Sequence, residues 1–194
     1  MIRYSSRSGF TIIELMLAMG GLAFLLIFVV FSIMNTMNLY MKGVATRQIN
    51  QAGRQVADEL SDAVRYGGEV RNLSNSLCVK GYSYLWDGTY DSGAKYSLIR
   101  VNDPSAEYCT AAPPTPAEGS AQVLVDNTVV SVLKLEAGSV AADDASPLVL
   151  IRVVLATAGD NAPVQDASGD YQCDPNSQYC AFGEFETYVY ARNR

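Results

Sequence analysis

Residues 10–34 read FTIIELMLAMGGLAFLLIFVVFSIM, an apolar run containing one ionisable side chain, Glu14. Built as a helix at about 1.5 Å per residue it extends roughly 37 Å, more than the ~30 Å hydrocarbon core of a bilayer. The run therefore predicts a membrane-spanning helix. A carboxylate inside such a helix costs roughly 2.5–3.5 kcal/mol even on a lenient insertion scale. A chain that carries Glu14 needs something to offset that charge.

The 194 residues leave room for this span and one further domain. Formal charge is −6, and every acid except Glu14 lies after residue 35. The water-facing part is thus acidic and has no grouped Lys or Arg, so direct nucleic-acid binding is not expected. Histidine is absent. That removes Ser-His-Asp and Cys-His catalysis and any His-containing zinc site. No cofactor and no metal site is expected, and the chain is not expected to be an enzyme. Glu184 and Glu186, alternating on a strand, are the only glycosidase-like carboxylate pair, and nothing else in the sequence supports that chemistry.

Four cysteines, Cys78, Cys109, Cys173 and Cys180, follow the apolar run. None forms a C-x-x-C pair, and an even count suggests two disulfides in an oxidising compartment. Four cysteines allow three connectivities, of which proximity favours Cys78–Cys109 with Cys173–Cys180. In the loop-entropy picture these two bonds contribute about 3.7 and 2.5 kcal/mol.

Residues 1–9, MIRYSSRSG, hold Arg3 and Arg7 and no acid, which keeps this end cytoplasmic and carries the C-terminal part outward. A secretory signal would show a shorter apolar core and then a small-x-small cleavage site. Here the run ends in SIMNTMNLYMKG, so any cut falls before it, after Gly9. The string Gly9-Phe10-Thr11-Ile12-Ile13-Glu14-Leu15-Met16 closely resembles the processing site of type IV pilins and the pseudopilins of type II secretion. The resemblance implies that a prepilin peptidase cleaves the leader after Gly9 and that the new N-terminal Phe10 is N-methylated. It also implies that Glu14 pairs with the N-terminal amine of a neighbouring subunit during assembly. A complementary charge in low dielectric is one way to offset the cost of a lone buried carboxylate. Implied partners are other pilin or pseudopilin subunits, the peptidase, an inner-membrane assembly platform and, before assembly, membrane lipid. The implied location is the inner membrane as a single-pass precursor, then a surface or periplasmic filament. The alternative is an uncleaved, single-span anchored extracytoplasmic binding domain.

Beyond Met34 the helical pattern continues, with Ile49, Ala52, Val56, Leu60 and Val64 at three- and four-residue spacing. Gly67-Gly68 supply a stop. Phe10 to Tyr66 is then one near-continuous helix about 85 Å long. Four segments follow: a basic leader 1–9, an assembly helix 10–34, its amphipathic continuation 35–66, and a β-rich domain 67–194. Many major pilins have a proline in the middle of this helix; here the first proline is Pro104. Gly20, Gly21 and Gly43 read as ordinary membrane-helix glycines.

From Leu77 the texture changes to strands: Leu77–Trp86, Ala94–Asn102, Gln122–Glu136, Pro147–Thr157 and Glu184–Arg192. Strands following strands predict an antiparallel sheet with the helix on its buried face, an α+β fold. In VVSVLKLE, Leu133 and Leu135 are expected to face one way, Lys134 and Glu136 the other. DNTVVSVLKLE, PLVLIRVVLA and FETYVYARNR resemble, more loosely, W-type minor pilins and J-type minor pseudopilins. That subgroup implies a low-abundance subunit of a tip or initiation complex. The acids Asp160, Asp166, Asp170 and Asp174 lack EF-hand spacing and read as a solvated loop. Asp143-Asp144 reads as a turn. The many tyrosines, with Trp86, read mainly as strand packing.

Overall fold

The computed structural model describes residues 10–67, 69–79, 81–139, 148–166, 169–174, 177 and 179–191. The Asp143-Asp144 turn and the end of the last expected strand at Arg192 fall outside them. The chain divides into two units, one up to Tyr40 and one from Met41.

The long helix α1 (Ile12–Gly67) begins two residues later than the sequence suggests and ends one residue later. In the first unit its described side chains are all exposed. From Met41 onward the helix is amphipathic, and Ala45, Ile49, Gly53, Val56, Leu60 and Val64 are buried.

Among the described residues, ten strands follow: β1 (Val70–Asn72), β2 (Ser76–Val79), β3 (Tyr82–Thr89), β4 (Lys95–Asn102), β5 (Ala121–Val125), β6 (Val130–Ser139), β7 (Leu148–Thr157), β8 (Val164–Gln165), β9 (Tyr171–Gln172) and β10 (Phe182–Tyr190). All pairings are antiparallel, and the class is α+β. The strands form not one sheet but a five-stranded meander β1-β2-β3-β4-β5, a three-stranded sheet β10-β7-β6 and a small β8-β9 ribbon.

Two expected strands are each broken into two strands. Leu77–Trp86 is split between β2 and β3 around Gly81, whose φ of +84° suits glycine in a turn. Gln122–Glu136 is split at Asp126, whose carboxylate accepts the Thr128 N–H at 2.8 Å in an Asx turn. That turn moves the chain from one sheet to the other. Within β6 the register shifts between Val132 and Lys134, a bulge at Leu133. Val130, Val132, Leu135 and Ala137 are therefore the buried set, and Leu133 does not share the burial of Leu135. Lys134 and Glu136 do share a face and pair at 2.9 Å.

The main core joins the helix stripe to inward residues of both large sheets, including Leu77, Tyr84 and Leu98 from the meander and Leu135, Ile151 and Leu155 from the three-stranded sheet. Gly53 sits mid-stripe because a Cβ there would fall within the Phe185 ring of β10. Tyr84, wholly buried, donates its hydroxyl to Glu59 at 3.3 Å, and Arg100 ion-pairs with the same carboxylate. Burial first, and Glu59 second, push the Tyr84 hydroxyl well above the usual tyrosine range.

A second core lies among Leu85, Tyr90, Tyr96, Ile99 and Val101, with Tyr108 and Ala121 packed against it. The segment after β4 is fastened by Asp103, which accepts from Ser83 Oγ (2.8 Å) and from the N–H groups of Glu107 (2.7 Å) and Tyr108 (2.9 Å). The Cys78–Cys109 disulfide fastens the same segment to β2.

Two outcomes are expected. Gly53→Ala loses about 1–3 kcal/mol in chemical denaturation through overpacking. In a cycle with Phe185→Leu, the double variant costs less than the sum, because the smaller side chain clears the new methyl. Second, Tyr84 has a folded pKa raised above its unfolded value near 10, so its contribution is complete below that pH and lost as pH rises beyond it. Tyr84→Phe flattens the alkaline fall in Tm and leaves the neutral-pH slope unchanged; an undiminished alkaline fall contradicts this.

Candidate assembly site

The helix start is built by Thr11. Its backbone C=O accepts the N–H groups of Glu14 (3.1 Å) and Leu15 (3.2 Å), while its Oγ1 lies 3.4 Å from the Glu14 N–H. Thr11 is thus the N-cap and Glu14 the third helical residue, the T-x-x-E spacing of a capping box. That pattern was visible in the sequence as a reason for an acid at 14, besides any partner. A carboxylate in the first turn also meets the positive end of the helix dipole, worth roughly 0.3–1 kcal/mol at an exposed position. This is well short of the ~2.5–3.5 kcal/mol cost of carrying the charge in a membrane helix. Capping alone does not account for Glu14.

Phe10 precedes the cap and is 78% exposed. The described part of the chain supplies no cation to the Glu14 carboxylate. Gly9 and the rest of the basic leader fall outside the described residues. Beyond the helix's own backbone, no heavy atom of the described residues lies within 4 Å of where a Cβ at Gly20, Gly21 or Gly43 would stand. The helix is long and apolar enough to cross a membrane.

The cysteines are in the second unit. Cys78 pairs with Cys109 and Cys173 with Cys180. Two disulfides fit an extracytoplasmic, oxidising setting for this domain. The second is seated by a polar network: Thr157 Oγ1 donates to Asn161 C=O (2.6 Å), Ser177 Oγ to Asn161 Oδ1 (3.2 Å), and Cys180 N–H to Ser177 Oγ (3.2 Å). Asp166 accepts the Asp170 N–H (2.9 Å) and Gln172 Nε2 (2.8 Å), so its carboxylate organises the β8–β9 turn. Among the described residues, no three His, Cys, Asp or Glu side chains converge as metal ligands.

Glu184 and Glu186 share a face of β10, as strand alternation requires, but both are held by one cation. Arg152 of β7 bonds Glu184 at 2.8 Å and Glu186 at 2.6 Å. Hydrogen bonding to Glu186, then the charge of Glu184, holds the guanidinium still more firmly protonated. Among the aromatics, Tyr84, Tyr90, Tyr96 and Trp86 are buried, whereas Tyr66, Tyr82, Tyr188 and Tyr190 are exposed. Asp103, Arg152 and Gly53 are structural residues that the sequence did not single out.

No protein-family description, no curated protein and no solved structure matches this chain. Its reading therefore rests on its own residues.

Removing the charge isolates its cost. Glu14→Ala favours insertion of the span by about 2–3 kcal/mol at most. This is measured as the inserted fraction of a span shortened until the wild-type sequence inserts only partly; an unchanged fraction places Glu14 outside the hydrocarbon.

Proposed function

We propose that the chain is a minor pilin or minor pseudopilin, made as a single-span membrane precursor and built into a type IV pilus or secretion-type filament after its leader is removed. The observation that carries this reading is the helix start. The acid at 14 is the only ionisable side chain of the span, it stands one turn from Phe10, and the described part of the chain gives it no cation. Cleavage after Gly9 creates an α-amine at Phe10, and methylation keeps that amine cationic. The amine of one subunit and the Glu14 carboxylate of its neighbour then pair in low dielectric, where the unpaired charge is most costly. The cost of Glu14 thereby becomes a preference for one axial register between helices.

The rest of the span supplies the packing surface for other helices, and the disulfide-bonded domain is displayed outside the membrane. The role is one of interaction, without catalysis. Its partners are other pilin-like subunits, a prepilin peptidase, an inner-membrane assembly platform and lipid before assembly. The second reading, an uncleaved anchored binding domain, is favoured by the same apolar helix and differs in what becomes of residues 1–9.

Intact mass and N-terminal sequencing of the membrane-extracted chain, beside Gly9→Ala, separate the two. The pilin reading expects a chain that begins at methylated Phe10, with Gly9→Ala left at full length. Retention of residues 1–9 in both selects the anchored domain. In the processed case, Glu14→Ala leaves cleavage intact and lowers recovery in sheared filaments on the order of tenfold, since one lost charge pair of about 1.4 kcal/mol is a factor of ten. Unchanged recovery removes Glu14 from assembly.

A further inference from the structure

A cleft of about 530 Å³ opens where the meander meets the three-stranded sheet. The end of β1 and the turn into β2 line one side, β3 the base, and β6 the other side. Small-molecule sites commonly occupy roughly 300–1,000 Å³. At the base is Trp86, 6% exposed and packed into the main core. A buried indole N–H usually finds an acceptor. That of Trp86 has none among the described residues, yet it is not closed off from solvent. The rim side chains of Asn72, Ser74, Asn75 and Asp87 likewise make no hydrogen bond to a described residue.

Two strand irregularities border this cleft. Asp87 has a φ of +50°, a backbone that residues other than glycine seldom adopt, and it drops out of the β3–β4 ladder between Trp86 and Gly88. The Leu133 bulge of β6 lines the same space. Neighbours on a regular strand face opposite ways, whereas Trp86 and Asp87 both line the cleft. Bulges and strained residues re-aim side chains and gather at functional sites. The walls are also fixed. Leu73 N–H donates to Ser76 C=O (2.9 Å), and Ser76 Oγ to Thr110 C=O (3.2 Å) beside Ala111 on the rim. The Cys78–Cys109 disulfide fastens that rim segment to β2. A wall already ordered spares a ligand the cost of ordering it.

We propose that this cleft is a saccharide site and that it takes an uncharged hexose unit of a glycan. The indole offers an apolar face to the C–H side of a pyranose ring and an N–H to one of its oxygens. The Asn72 and Asn75 amides each donate and accept, as does the Ser74 hydroxyl, while the Asp87 carboxylate accepts. Neighbouring hydroxyls of a sugar, each both donor and acceptor, match that set. Lys134 is neutralised by Glu136 at 2.9 Å, so Asp87 leaves the cleft with one negative charge in excess. Phosphates and uronates are repelled by it, and an uncharged sugar is not.

This goes beyond the assembly role and does not rest on it. Every wall of the cleft belongs to the second unit, and the helix start at Phe10 and Glu14 contributes none.

Trp86 is the only tryptophan of the chain, so its emission reports on this cleft directly. The full-length chain, extracted in a detergent without a sugar headgroup, is titrated with maltotriose, with the trisaccharide of N-acetylglucosamine and with trigalacturonate. Emission and heat are both followed. A saturable response to a neutral trisaccharide, and none to trigalacturonate, is expected. Changing Asn72→Ala and Asn75→Ala together, at exposed positions, is expected to weaken that binding on the order of tenfold, as two lost hydrogen bonds imply, with Tm unchanged. No saturable response to either neutral sugar overturns the proposal. So does undiminished binding by the double variant, or an equal response to trigalacturonate. The Gly9→Ala chain is expected to bind as wild type does, which keeps this result separate from leader processing and filament assembly.

Discussion

One helix stripe governs the second unit. Ile49, Gly53, Val56, Leu60 and Val64 present a narrow apolar surface, and the two large sheets close on it together. The Glu59 carboxylate fixes the arrangement on one side, tied to Tyr84 of β3 and Arg100 of β4. Phe185 against Gly53 fixes it on the other. A polar clamp and a missing methyl thus set where the meander and the three-stranded sheet meet the helix. Close packing leaves little freedom once both are satisfied.

The two units are under opposite constraints. In the second, apolar side chains are covered within the chain itself. In the first, Phe10 through Met34 is apolar and wholly exposed, so its cover comes from lipid or from other helices. The sole charge in that run stands in the first turn of its helix, where the dipole offsets only part of its cost. In the proposed filament that shortfall is met by a neighbour. A monomer carries the deficit, and an assembled subunit does not.

Much of this was legible in the residues, for reasons that vary by element. The helix was readable because its apolar positions repeat at helical spacing and glycine ends it. Strand texture was readable as well, but strand number was not. Leu77–Trp86 looks continuous by hydropathy, and only Gly81 betrays the turn; Asp126 gave a similar local sign where the chain crosses from β5 to β6. The division into separate sheets depends on pairings between distant segments, such as β10 with β7, for which one sequence holds no signal. The Leu133 bulge reversed a facing that strict alternation suggested. Around the candidate site, Phe10 and Glu14 stood out as a lone acid beside an aromatic at the head of an apolar run. Proximity favoured the disulfide pairs the structure contains. Gly53 went unnoticed because a glycine within an apolar stripe looks like a weak point until its neighbour is known.

The Gly53–Phe185 contact also sets the tempo of folding. The two residues are 132 positions apart. At roughly 5–20 residues per second, the ring that seals the stripe is synthesised many seconds after the glycine it covers. During that interval Gly53 lacks the ring that packs on it. Topologies dominated by such distant contacts fold slowly, since the loop must close before any contact rewards it. The nascent domain can dock the meander on its helix early, through Tyr84 and Arg100 at Glu59, but it completes its core only when the final strand arrives.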